Sequence, residues 1–155
     1  MSNCGELGWH SDQQLGYRYI REHPVTAARW PAMPAQLLAL WDDVAVYPAK
    51  PQACLINYYA SKARMGLHAD TDEDDMSAPV VTVCLGDDAL FRIGGTTRKS
   101  PTSSLRVSNG DVLVLSGDAR RAFHGIDRIY AGSSPLLEEG GRFSLTLRRV
   151  TRSVS

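Results

Sequence analysis

The chain has 155 residues, 43% hydrophobic and 22% charged, which suits one globular domain with a sizeable core and excludes a disordered, charge-rich segment. Its 17 basic and 17 acidic residues cancel, so a strongly basic nucleic-acid binder is excluded and any such affinity must be local. No run approaches the roughly 20 apolar residues of a membrane span.

The N-terminus lacks a basic-then-apolar leader. The cysteines Cys4, Cys54 and Cys84 show no metal-type spacing and fit a reducing compartment. A soluble, cytoplasmic protein is therefore expected, with no membrane partner and acting as a monomer.

Residues 1–31 carry Gly, aromatic and polar residues without clear periodicity and read as loops and short strands, a lid rather than a core. From Pro34 to about Val46, Leu37, Leu38, Leu40, Trp41 and Val44 recur at helical spacing, with Pro34 suited to a first turn. After Pro51 the pattern changes to short strands at 53–59, 65–70, 79–86, 89–94, 104–107, 111–116, 120–124 and 142–149. Turn signals such as Gly94-Gly95, Asn109-Gly110-Asp111 and Gly140-Gly141 separate them. Residues 71–78 form an acidic run, most simply a solvated loop, and 130–141 a second loop. The expected fold is mainly β with one or two helices, a sandwich or jelly roll in a single domain over 1–155, with helix and core in 32–155.

His68-Ala69-Asp70 places an imidazole and a carboxylate at i and i+2, on one face of a strand and within reach of one ion. With this composition about 0.3 His-x-Asp matches arise by chance, so the pair alone is weak evidence. His124, in Phe-His-Gly at a predicted strand end, can come alongside in an antiparallel roll. Two His and one carboxylate then ligate a non-haem iron(II) and leave positions open for an oxo-acid and dioxygen. The plainer reading leaves His68 and His124 as ordinary strand-end residues.

In Arg142-Phe-Ser-Leu-Thr-Leu-Arg148, alternation puts Arg142, Ser144, Thr146 and Arg148 on one face and Phe143, Leu145 and Leu147 on the other. An inward-facing Arg needs an anion, and the distal carboxylate of 2-oxoglutarate would supply one through a bidentate contact. An exposed edge strand is the alternative. Asn57 and Tyr59 share a face of their own strand and offer an amide and a phenol to the same co-substrate, although strand packing alone also accounts for Tyr59.

The ordered series Asn3-Cys4-Gly5, Leu7-Gly8-Trp9, Gly16-Tyr17, Trp30 to Pro34, Cys54 to Asn57, Leu67 to Glu73, Gly94-Gly95, Gly110-Asp111-Val112 and His124-Gly125-Ile126 resembles the AlkB family of nucleic-acid dealkylases over nearly the whole chain. The resemblance implies a double-stranded β-helix, the cupin-like jelly roll. It implies His68, Asp70 and His124 as both iron(II) ligands and catalytic centre, with dioxygen and 2-oxoglutarate as co-substrates. Asn57, Tyr59, Arg142 and Arg148 would hold 2-oxoglutarate, with Ser144 beside it. It also implies a base stacked on Trp9, a nucleic-acid backbone contact at Tyr17, and Asp72 and Arg98 flanking the base. A base lifted from its stack regains part of the lost energy on a Trp face.

The implied reaction is oxidative removal of alkyl groups from nucleobases in DNA, single-stranded first, or in RNA, with 2-oxoglutarate converted to succinate and an aldehyde released. The sequence departs from the family in three ways. Ser144 replaces an amide and removes one donor. One additional residue lies between Trp9 and Tyr17. The resemblance also begins partway into the family's substrate-recognition lid, making 1–31 a partial lid. Rival readings are an iron(II)/2-oxoglutarate hydroxylase acting on a protein, lipid or small molecule, a catalytically impaired metal-binding jelly roll, and a metal-free structural domain.

Overall fold

The computed structural model describes residues 1–152. Two antiparallel sheets face each other. The larger is built from β1 (Ser2–Gly5), β4 (Ala53–Tyr59), β11 (Arg142–Arg148), β6 (Val80–Gly86) and β9 (Val112–Leu115), in that order. The smaller has β5 (Met65–His68), β10 (His124–Tyr130), β7 (Asp88–Ile93) and β8 (Ser103–Val107). A separate hairpin joins β2 (Gly8–Asp12) to β3 (Gly16–Ile20), and α1 spans Ala35–Val44. This is the expected jelly roll.

The helix forms where the i, i+3, i+4, i+7 pattern of Leu37, Leu40, Trp41 and Val44 supplies an apolar stripe, and Pro34 sits at its N-cap. The stripe packs on the outer face of the larger sheet, against Cys54, Val81, Val83 and Leu147, and Trp41 is fully buried there. Leu145 joins the same cluster, so the apolar face of β11 points at the helix and its polar face points between the sheets. A second cluster of Tyr59, Cys84, Ala89, Phe91, Val107, Ile126 and Ile129 fills the space between the sheets. The central strand β11 pairs along its full length with both β4 and β6, Ser144 lying opposite Asn57 on one side and Cys84 on the other.

Three expectations require correction. Residues 1–31 are not lid alone, because β1 pairs with β4 in the larger sheet (Asn3 with Leu55, Cys4 with Cys54), and Asn3, Cys4 and Leu7 are buried. Residues 120–124 are not a strand: Gly117, at φ +54°, opens a 3-10 turn over Gly117–Arg121, and the strand starts at His124 and runs to Tyr130. The acidic run is not simply solvated either, since Glu73 and Asp75 are both 4% exposed. Its chain reversal turns these two carboxylates inward onto Arg120, Arg148, Tyr47 and Ser77.

Candidate metal and co-substrate site

His68 closes β5 and His124 opens β10, and the two are direct partners in the antiparallel register. Gly125 makes this approach possible, because a Cβ there would lie 2.5 Å from the Met65 carbonyl oxygen. Strand β5 ends at His68, two residues earlier than its pattern suggests, and Asp70 reaches the same point from the following coil. The ligand atoms of His68, Asp70 and His124 all lie within 4.8 Å of one another. The two Nε2 atoms are 3.7 Å and 3.5 Å from the Asp70 carboxylate.

Each imidazole Nδ1 lies 2.9 Å from a backbone carbonyl, that of Gly66 for His68 and that of Ala122 for His124. Donation from Nδ1 leaves a lone pair on each Nε2 facing the carboxylate, the tautomer a metal requires. Burial alone would raise the Asp70 carboxyl. With the imidazoles protonated rather than in that metal-ready form, the hydrogen bond from His124 and the charges of Arg148, His124 and His68 outweigh it and hold the group well below the usual carboxylate range. The donor set is therefore one hard carboxylate and two borderline imidazoles, a combination suited to iron(II).

These three side chains border a cavity between the sheets, whose wall also includes Asn57, Tyr59, Arg142, Ser144, Thr146 and Arg148. The inward face read from the β11 alternation is thus real: Arg142, Ser144, Thr146 and Arg148 are 1%, 8%, 8% and 7% exposed. The two arginines differ in what they touch. Arg142 leaves Nε and Nη1 buried without a hydrogen-bond partner, an arrangement that costs several kcal/mol unless an anion arrives. A dicarboxylate co-substrate fits this requirement. Arg148 spends Nη2 on Asp70 at 2.8 Å and Nη1 on Glu73 at 2.8 Å and Tyr19 at 3.0 Å, with Nε left unpartnered. Its ends thus hold the metal-facing carboxylate, while the resemblance gives it to 2-oxoglutarate.

Glu73, Arg120 and Tyr19 complete this buried network, and sequence reasoning assigned none of them a role. Arg120, 3% exposed, donates to the carbonyls of Asp70 at 2.6 Å and Ala78 at 2.8 Å and to Glu73 at 2.9 Å. Tyr19 donates to Glu73, and burial pushes its phenol above the ordinary value. These contacts join positions 42 to 129 residues apart, and no local periodicity announces them.

The four residues expected at the substrate lie at the rim. Trp9 donates from Nε1 to Asp72 at 2.9 Å, and its ring stacks on Tyr17 at 5.1 Å between centroids. Asn3 fixes Trp9 by bonding both its backbone N–H, at 3.0 Å, and its carbonyl, at 3.1 Å. Tyr17 is 65% exposed. Arg98 donates to the Leu67 carbonyl and lies over the Phe123 ring, 5.2 Å from its centroid.

Comparison with known proteins agrees with this geometry. The profile of the 2OG-Fe(II) oxygenase superfamily matches residues 1–148. An alpha-ketoglutarate-dependent dioxygenase AlkB homolog of Caulobacter vibrioides is 54% identical over 96% of this chain and 67% of its own length. The alpha-ketoglutarate-dependent dioxygenase AlkB of Escherichia coli is 44% identical over 96% of this chain and 70% of its own. An Arabidopsis thaliana DNA N(6)-methyladenine demethylase, ALKBH1A, is 35% identical over 61% of this chain and 30% of its own. The solved structure of OsALKBH1 superposes with a TM-score of 0.81 at 29% identity, covering 95% of this chain and 76% of that one. A histidine–aspartate–histidine cluster at the mouth of a jelly roll, an unneutralised arginine beneath it and this degree of likeness lead to one assignment: the chain belongs to the AlkB family of iron(II)- and 2-oxoglutarate-dependent dioxygenases.

Proposed function

We propose that this protein removes alkyl groups from N-alkylated nucleobases of DNA or RNA, with His68, Asp70 and His124 as its iron ligands and Arg142, Asn57 and Tyr59 as its main contacts to 2-oxoglutarate. The observation that carries the reading is the buried, unpartnered guanidinium of Arg142 in the cavity that the three ligand side chains border. Iron(II) bound there with 2-oxoglutarate and dioxygen supplies an oxidant able to hydroxylate an N-alkyl carbon, yielding succinate, carbon dioxide and a carbinol that breaks down to base and aldehyde.

The chain's own residues supply placement. Arg142 clamps the distal carboxylate, with the Asn57 amide, the Tyr59 phenol and the Ser144 hydroxyl beside it. Arg148 holds Asp70 in one orientation, and the Nδ1 contacts fix both imidazoles. At the rim, Trp9 offers a flat face to a base lifted from its stack, Asp72 and Arg98 provide an acceptor and a cation beside it, and Tyr17 faces the strand.

A single strand is the preferred substrate in this reading, because an unpaired base leaves its stack at the lowest cost. The protein acts as a monomer, and its three buried free cysteines suit a reducing cytoplasm. No described helix is long and apolar enough to cross a membrane.

The test is mass spectrometry of a panel of alkylated DNA and RNA oligonucleotides incubated with protein, iron(II), ascorbate and 2-oxoglutarate. Loss of alkyl mass from at least one base supports the reading. Succinate formation with every oligonucleotide unchanged would instead select a hydroxylase of another substrate.

A further inference from the structure

A trough opens beside His68, walled on one side by Thr71 and Met76 and on the other by Thr96, Arg98, Arg121 and Phe123. No carboxylate lines it, and Arg98 and Arg121 have no acidic partner within 4 Å among the described residues. Elsewhere among the described residues Arg18, Arg21, Lys50, Arg92 and Arg106 each sit against an Asp or Glu, whereas Arg29, Lys62, Arg64, Lys99, Arg128, Arg149 and Arg152 do not, so what sets Arg98 and Arg121 apart is their place beside His68. In a chain of zero net charge, two arginines without carboxylates beside the metal-facing opening make a local cationic site.

Both walls are held in place by one residue. Arg120 is buried in the 3-10 turn that ends in exposed Arg121, and its guanidinium grips the Asp70 and Ala78 carbonyls at the two ends of the opposite loop. Arg98 is fixed by its stack on Phe123 and its bond to Leu67. A second depression shares Met76 and Arg121 with the trough and reaches Tyr47 and Arg152; its lining also includes Asp75, whose carboxylate is engaged by Tyr47 and Ser77.

We infer that this trough carries the sugar–phosphate backbone of the nucleic-acid substrate beside the target base, with Arg121 binding a phosphate. The inference rests on the nucleobase reading and deepens it, since a free alkylated nucleoside would leave the trough empty. The Arg121 guanidinium, carried on a turn that Arg120 anchors, supplies a charge-assisted contact to a phosphate oxygen, and its strength falls with salt as counterions compete.

The experiment measures binding of a fluorescent, unalkylated single-stranded oligonucleotide by anisotropy across a salt series, using wild type, Arg121→Glu, Arg121→Lys and, as a control of equal charge change on an exposed strand position, Arg128→Glu. Melting temperatures confirm that each variant folds. Arg121→Glu is expected to weaken binding by about tenfold at low salt and to reduce the slope of log affinity against log salt by about one. Arg121→Lys should keep most of the affinity, and Arg128→Glu should shift it far less. Equal losses for Arg121→Glu and Arg128→Glu, or no loss for either, overturn the trough, as does a wild type that binds no oligonucleotide. A wild type that binds through Arg121 yet dealkylates no member of the panel leaves the trough standing and removes the nucleobase reading.

Discussion

Arg142 and Arg98 both face the site, but they are placed by different means. Arg142 is 1% exposed on a strand paired on both sides with β4 and β6, and the backbone ladder fixes where its guanidinium lies. Arg98 is an exposed residue of the connection between β7 and β8, positioned by a carbonyl and an aromatic ring rather than by a ladder. The same contrast separates the whole floor of the cavity, buried and densely paired, from the rim formed by the β2–β3 hairpin and its facing loops. The floor matches chemistry that must be identical at every turnover, and the rim matches a substrate that must enter and leave.

If that division is correct, floor variants should impair co-substrate use whatever oligonucleotide is present. The largest effect is expected for Arg142→Met, which removes the buried cation proposed to face the dicarboxylate. Loss of a buried charged contact is worth about 2–5 kcal/mol, so the KM for 2-oxoglutarate should rise roughly 30-fold or more in a succinate assay. An unchanged KM would mean that the orphaned guanidinium serves another anion.

Asp87 tests the floor from its support. It is 2% exposed and accepts the backbone N–H groups of Gly132, Ser134 and Gly141, which fix the loop leading into β11. Burial opposes its ionisation, but these N–H groups prevail and hold its carboxyl below the ordinary value. Its stabilising contribution is therefore complete above about pH 4, the unfolded value, and drains away as pH falls through the folded pKa. Asp87→Asn should cost about 1–3 kcal/mol in denaturant unfolding at neutral pH and flatten the acid side of the stability profile. An unaltered profile would remove Asp87 from this role.

The third change belongs to the rim. Trp9→Ala should raise the KM for an alkylated oligonucleotide by an amount matching one lost base stack, about 1–3 kcal/mol. Because Trp9 contacts Asp72 and Tyr17 but none of the residues proposed to hold 2-oxoglutarate, the KM for 2-oxoglutarate should stay within about twofold. Equal changes in both would erase the distinction between floor and rim.

What was legible in the sequence follows the same division. Period-2 alternation in Arg142–Arg148 correctly forecast which side chains enter the cavity, and the i, i+2 spacing of His68 and Asp70 brought two ligand candidates together even though the strand stops between them. The 3-10 turn before His124 carried no strand-breaking signal beyond Gly117, and its last two residues, Arg120 and Arg121, were expected to open a strand. Glu73, Arg120 and Tyr19 were invisible for a physical reason. A carboxylate in an acidic run and an arginine in a turn resemble solvated residues until distant segments fold over them. The entry of β1 into the larger sheet was hidden because four residues are too few to display a period.

The most direct test of the central claim counts succinate and repaired bases together, on the responsive alkylated oligonucleotide, for wild type and Asp70→Ala. One succinate per alkyl group removed in the wild type, with both products lost in the variant, is the predicted result. Full dealkylation by Asp70→Ala would contradict the assignment of His68, Asp70 and His124 as the iron site.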